Sequence, residues 1–289
     1  METQQKPRRR VRRSFKYIIR FFQIVFGLIF VFIVSFFVTL AWRASEDNLP
    51  EVEERYSAAP NKNNPTARQT LPAEETGIGE KFNRLMNIED AVAEKRQKIR
   101  HYVLLRDIPR ALRQAIIAVE DKRFYNHGGF DMESIARATV VNVEEGEIAQ
   151  GGSTITQQLA KNLFLTHERS FTRKVEELFL AIQLESHFDK NKILEMYLNT
   201  IYFGSNFYGI YEAAHGYFDK EPKELSVAEC AMLAGIPNAP SVYSPYENFM
   251  LAKKRQLVVI DAMVKAHFIG NYEAENARVE EIILREGVY

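Results

Sequence analysis

The single cysteine of this 289-residue chain, Cys230, rules out an internal disulfide, so a packed core rather than a covalent staple holds the protein together. It sits in the apolar run AECAMLAGI and reads as a small core residue. Metal-ligand spacings such as HExxH or paired CxxC are missing, so no metal-binding residues are assigned. An S-x-x-K tetrad is also missing, which excludes the acyltransferases that take their nucleophile from it. There is no internal repeat, and strand-like alternation is scarce, which points to a mainly α fold. The hydrophobic content of 46% is ordinary for a globular protein and large enough for a real core.

A formal net charge of +0 conceals an asymmetry. The first twenty residues carry Lys6, Arg8, Arg9, Arg10, Arg12, Arg13, Lys16 and Arg20 against Glu2 alone. Phe21 to Trp42 then holds no charge, and about 22 residues at about 1.5 Å each suffice for a bilayer core of about 30 Å. A cleavable signal peptide is the rival reading, but its apolar core is shorter, about 7 to 15 residues, and ends in a small-x-small site. The chain here ends that stretch with Leu40, Ala41, Trp42 and Arg43. We therefore expect a basic cytoplasmic tail over 1–20, a transmembrane helix over 21–42, and all later residues outside the cytoplasm. Segment 43–99 reads as a polar linker, since its Glu, Asn, Pro, Thr and Ala show no sustained apolar period over Ser45 to Glu75.

Residues 100–270 read as a helical domain. Helices are expected near 109–121, 132–144, 154–164, 171–187, 190–199, 208–218, 226–235 and 248–266, with an amphipathic helical tail over 271–289. The first of these carries Ile108, Leu112, Ala115, Ile116 and Val119 at helical spacing and ends on Glu120 and Asp121, before a turn formed by Asn126, His127, Gly128 and Gly129. Acids oppose the dipole at a helix C-terminus. They are either a tolerated exposed helix end or a carboxylate held at an edge to act as a base.

Two further stretches carry candidate chemistry. In GGSTITQQLAKN, Thr154 and Gln157 fit a capping box, which explains the stretch as a helix start. Alternatively, glycine-flanked amides with the Ser153 and Thr154 hydroxyls suit a phosphate or pyrophosphate, with Lys161 adding charge. In SFTRKVEELFLAIQLESHF, a helical wheel places Val175, Leu178, Phe179 and Ile182 on one apolar stripe and Glu176 on a polar strip, as a solvated charge. Glu177 falls among Leu180, Ala181 and Leu184, where a carboxylate is costly unless paired or used, and Arg173 at i−4 offers a structural pair. Arg169, Arg173, Lys174 and Lys161 form either a cationic floor or dispersed surface charge.

Five ordered motifs carry a resemblance: EDKRFYNHGGFD, GGSTITQQLAKN, RKVEELFLAIQLE, KNKILEMYLNTIYFG and AAHGYFDKEPKELSVAECAMLAGIPNAPSVYSP. Across about Val103 to Ala266 the chain resembles the peptidoglycan glycosyltransferases of family 51, found as the glycan-polymerising module of class A penicillin-binding proteins and as monofunctional transglycosylases. The missing S-x-x-K makes the monofunctional type the nearer likeness. The resemblance implies a lysozyme-like, two-lobed glycosyltransferase domain behind an N-terminal transmembrane helix in the cytoplasmic membrane, acting on the periplasmic or extracellular side. Its substrates are lipid II and the growing glycan strand, and its partners are the bilayer and cell-wall synthesis proteins, without nucleic acid.

Carried over motif by motif, Glu120 is implied as the base, Asp121 as its supporter, and Glu177 as a second catalytic acid near the pyrophosphate or a divalent cation. The implied substrate-binding set is Ser153, Thr154, Gln157, Lys161, Asn162, Arg169, Arg173 and Lys174. No cofactor is certain; Mg or Mn shared with the pyrophosphate is the candidate. YFDKEP departs from the family's YFGK, with Asp219 for glycine. A muramidase-like lytic enzyme and an inactive membrane-tethered scaffold are the alternatives. Neither needs both a cationic cluster and separated carboxylates.

Overall fold

The chain divides into two compact units, Met1–Phe82 and Asn83–Tyr289. The computed structural model describes residues 87–135, 152–165 and 171–285, all within the second. The basic tail, the apolar span 21–42, the linker up to residue 86, most of the expected helix 132–144, and Arg169 lie outside the described residues. Among the described residues no helix is long and apolar enough to cross a membrane.

The described part is mainly helical, with α1 (Ile88–Gln97), α2 (Arg110–Glu120), α3 (Ile155–Phe164), α4 (Phe171–His187) and α5 (Lys190–Thr200) in its first half. There follow α6 (Gly209–Phe218), α7 (Val227–Gly235), the short α8 (Pro240–Tyr243), α9 (Phe249–Lys265) and α10 (Asn271–Val279). Only an isolated antiparallel bridge, Tyr202 to Tyr208, stands for β structure among the described residues. Helix starts follow local chemistry: Asp189 accepts from the Lys192 N–H, Asn248 from the Leu251 N–H, and Ser226 with Glu229 forms a reciprocal box.

α7 is buried nearly all round and packs against α2 and α9, which also meet each other. Cys230 lies in this helix, fully buried, and burial pushes its thiol up. α3 packs against α4 and α5, and α5 against α6. Side chains from both groups, among them Leu112, Ile116, Leu159, Leu184, Tyr197 and Met232, share one hydrophobic core. Each such Leu or Ile contributes about 1.5–3 kcal/mol of burial.

Three expectations change. α1 lies inside the segment read as linker, and its Ile88 and Val92 enter the core, so the linker stops short of residue 99. With so few apolar positions in a charged helix, its period is too weak to read in one dimension. The tail is not separate from the domain: Ala274 and Ala277 of α10 are buried, and the Arg285 N–H donates to the Tyr217 carbonyl at 2.7 Å. On α4 the core side is Leu180, Ala181 and Leu184, whereas Ile182 of the expected apolar stripe is 43% exposed. α4 is apolar on more than one side, and periodicity does not say which side is covered.

Asp219, the residue that departs from glycine, takes φ 55° and ψ 39° as the C-cap of α6. Such left-handed caps favour glycine and tolerate Asp better than most residues. Its carboxylate meets Arg285 at 3.3 Å.

Candidate active site

Helix α2 delivers Glu120. Its apolar face, with Leu112, Ala115 and Ile116 fully buried, fixes the helix in the core, and the backbone leaves the helix at Asp121 with φ −157° and ψ 79°. Glu120 Oε2 accepts from Gln158 Nε2 of α3 at 2.8 Å. Its other oxygen, Oε1, is buried and has no hydrogen-bond partner. Burial raises the Glu120 carboxyl above its usual range; the Gln158 bond and the Arg255 charge oppose this, Asp121 adds to it, and Lys161 opposes it. A carboxylate with raised affinity for a proton and one oxygen free of protein donors is suited to general-base work.

Asp121, the next residue, is buried and has a different task. Its Oδ2 accepts from the Ile155 backbone N–H at 3.1 Å, and its Oδ1 from His127 Nε2 at 2.8 Å. Ile155 is the first residue of α3, so Asp121 satisfies an otherwise orphan amide there and favours the positive end of the dipole. The other nitrogen of His127, Nδ1, meets the Gly128 carbonyl. Asp121 and His127 thus clamp the turn after α2 onto the start of α3.

The same helix start is tied from the other side. Thr154 and Gln157 form the capping box, with bonds of 3.0 Å and 3.1 Å, and Thr154 Oγ1 also donates to the Gly129 carbonyl at 3.0 Å. Both side chains are buried, so of the two readings offered by this stretch they serve the cap. Gly129 is needed for close approach, because a Cβ there would lie 2.7 Å from the Ala181 carbonyl carbon of α4. The glycine lets the loop rest directly on the α4 backbone.

Helix α4 brings the second carboxylate. Glu177 is 3% exposed, its Oε2 accepts from Arg173 at 3.2 Å, and its Oε1 accepts from Lys174. Lys174 also donates to Ser153 Oγ at 3.1 Å, which joins the cationic end of α4 to the residue just before the α3 cap. Lys174 stays about half exposed at 47%, and its ammonium can reach a ligand. Lys161 is half-buried and Asn162 exposed on α3. The structure therefore gathers Glu120, Asp121, Ser153, Thr154, Gln157, Arg173, Lys174 and Glu177 around one helix start.

Gln158, Tyr197 and Arg255 were missed in the sequence. Gln158 stands beside Gln157 in GGSTITQQ, and only the helix phase distinguishes the capping glutamine from the one that faces Glu120. Tyr197 of α5 is fully buried and donates to Gln158 Oε1 at 3.0 Å. Arg255 of α9 lies across Gly235, where a Cβ would sit 2.7 Å from the Arg255 Cγ, and its buried Nε has no partner. No local pattern marks it, since α9 reads as an ordinary amphipathic helix.

The donor sets among the described residues do not fit a protein-held divalent ion. Among the described residues no group of three or more His, Cys, Asp or Glu side chains could hold a metal, and both Glu177 oxygens already face cations.

Comparison with known proteins gives the family of this domain. The family described as Transglycosylase matches residues 87–264. Penicillin-binding protein 1F of Bacillus subtilis (strain 168) is 48% identical over 65% of this chain and 26% of its own length. Penicillin-binding protein 1A of Neisseria gonorrhoeae is 46% identical over 63% of this chain and 23% of its own. The chain thus spans about a quarter of the length of these curated relatives. A crystal structure of penicillin-binding protein 1A from Haemophilus influenzae is similar with a TM-score of 0.39 and 24% identity, over 66% of this chain and 19% of that one. With a family match that begins at the first described residue and runs through α9, this chain belongs to the transglycosylase family, glycosyltransferase family 51.

Proposed function

We propose that this domain polymerises lipid II into β-1,4-linked glycan strands, with Glu120 as the general base. Glu120 takes the proton from the 4-hydroxyl of the acceptor sugar, whose oxygen attacks C1 of the growing chain, and undecaprenyl pyrophosphate leaves. An α-linked donor that gives a β-linked product needs a single inverting displacement and no covalent enzyme intermediate. One base and one stabilised leaving group suffice.

The observation that carries this reading is the buried, unpartnered Oε1 of Glu120, an oxygen with a raised proton affinity and nothing in the protein to donate to it. Base catalysis of this kind contributes about 10²- to 10⁴-fold. Lys174, Arg173, Lys161, Ser153 and Asn162, with Arg169 outside the described residues, stabilise the charge developing on the pyrophosphate. Glu177 acts in this scheme by holding Arg173 and Lys174 in place, and Asp121 by fixing the turn that carries Glu120. Thr154 and Gln157 serve the site through the helix cap.

The fuller reading adds the lysozyme-like pair of lobes and an anchor over 21–42. A lipid-borne substrate is confined to a membrane surface, so tethering the domain there raises its effective concentration. Cell-wall synthesis proteins are the partners this location favours. The decisive assay supplies labelled lipid II to the purified protein in detergent and resolves the glycan chains formed. Long chains are expected from the wild type and none from Glu120→Gln; full polymerisation by that variant would overturn the base. A reporter fused after Tyr289 is expected to be active only outside the cytoplasm.

A further inference from the structure

We propose that Tyr197 is a positioning residue for the catalytic base: its buried phenol fixes which end of the Gln158 amide faces Glu120. This rests on the reading of Glu120 as the base. The chain of contacts runs through three elements. Tyr197 of α5 donates to Gln158 Oε1 at 3.0 Å, and Gln158 Nε2 of α3 donates to Glu120 Oε2 at the end of α2 at 2.8 Å.

The direction of this relay follows from what each group can donate. A phenol has one proton, while an amide accepts at its oxygen and donates at its nitrogen. With the phenol proton directed at Oε1, the NH₂ end is left for the carboxylate. Flipping the amide would set its oxygen against Glu120 Oε2. Tyr197 is fully buried, and burial, with Glu120 and Asp121 adding to it, pushes its phenol well above the usual range, so it remains a donor.

Two consequences reach the chemistry. With Oε2 held by Gln158, Oε1, buried and without a protein donor, is the carboxylate atom left to accept from the acceptor hydroxyl. The Gln158 bond also favours the charged carboxylate against the effect of burial, so the relay sets how strongly Glu120 holds its proton. The other charged groups acting on Glu120 are Arg255 from α9, Asp121 beside it and Lys161 from α3. None of these contacts Gln158 or Tyr197 by a hydrogen bond, so removing the phenol leaves their charges unchanged.

The test is Tyr197→Phe, which keeps the ring and removes the hydroxyl. The acid limb of the pH–rate profile for lipid II polymerisation is expected to move up by about one unit, which lowers kcat up to about tenfold on that limb, with KM unchanged. Gln158→Leu reproduces the shift, and adding Tyr197→Phe to it has no further effect. An unmoved limb in Tyr197→Phe, or a raised KM with an unmoved limb, overturns the proposal. If the phenylalanine variant does not fold, an unmoved limb in Gln158→Leu overturns it equally. Infrared titration of the Glu120 carboxylate, assigned by difference from Glu120→Gln, reads the same shift without turnover. A shift seen there in a protein that makes no glycan supports the relay and removes the glycosyltransferase reading instead.

Discussion

Glu120 and Glu177 are the same side chain on two helices that are each tied to the start of α3, and their surroundings are opposite. Glu120 ends α2 with one neutral hydrogen-bond donor on Oε2 and none on Oε1. Glu177 lies within α4, buried, with Arg173 on one oxygen and Lys174 on the other. A carboxylate short of donors retains affinity for a proton, whereas one held by two cations has its lone pairs committed. The difference supports the proposed roles, in which the first takes a proton and the second holds cations where the anion departs.

The sharpest way to break this comparison is to neutralise each acid in turn. Glu120→Gln is expected to lower polymerisation about 10²- to 10⁴-fold with the fold intact, measured by glycan chains from labelled lipid II and by circular dichroism. Glu177→Gln is expected to lower kcat/KM about tenfold to a hundredfold, because Arg173 and Lys174 lose the partner that orients them toward the leaving group. Equal losses with identical pH profiles would erase the distinction.

Gly129→Ala is expected to cost about 1–3 kcal/mol in denaturant unfolding, since its Cβ would press on the α4 backbone and separate the two carboxylate-bearing regions. Thr154→Ala, which removes the cap that both regions share, is expected to cost about 1 kcal/mol. An unchanged midpoint in either variant would mean that the α3 start does not tie them together.

Stability against pH reports on the buried Glu120 carboxyl. Burial gives Glu120 a higher proton affinity in the folded state than in the unfolded chain. The folded state therefore binds more protons between the two pKa values, and stability falls as pH rises through that window. Above it the charged form is a standing cost. Glu120→Gln is thus expected to raise Tm at pH 7, by about 2–4 °C for each kcal/mol relieved, and to lose that gain as pH falls below the unfolded value. A lower Tm at pH 7 in this variant would contradict the cost of burying the charge.

Much of this was legible in one dimension. The helices at 109–121, 154–164, 171–187, 190–199, 208–218, 226–235 and 248–266 lie within a residue or so of those observed, because long apolar periods and cap residues are local signals. The Thr154–Gln157 box and the Arg173–Glu177 pair were readable for the same reason, being three and four residues apart on one helix. α1 was not legible, since Ile88 and Val92 are too few to make a period. The covered side of α4 was also hidden, and with it the exposure of Ile182.

The sequence by itself determined the helical class, the caps, the five motifs and both glutamates, all of which rest on near neighbours along the chain. Tertiary structure alone decided what each polar group meets: that Gln157 caps while Gln158 faces Glu120, that Asp121 binds the α3 amide, and that Tyr197 and Arg255 arrive from distant helices. The physical reason is burial. A carboxylate's proton affinity depends on which donors and charges remain after water is excluded, and the packing of α2, α3, α5 and α9 sets that environment.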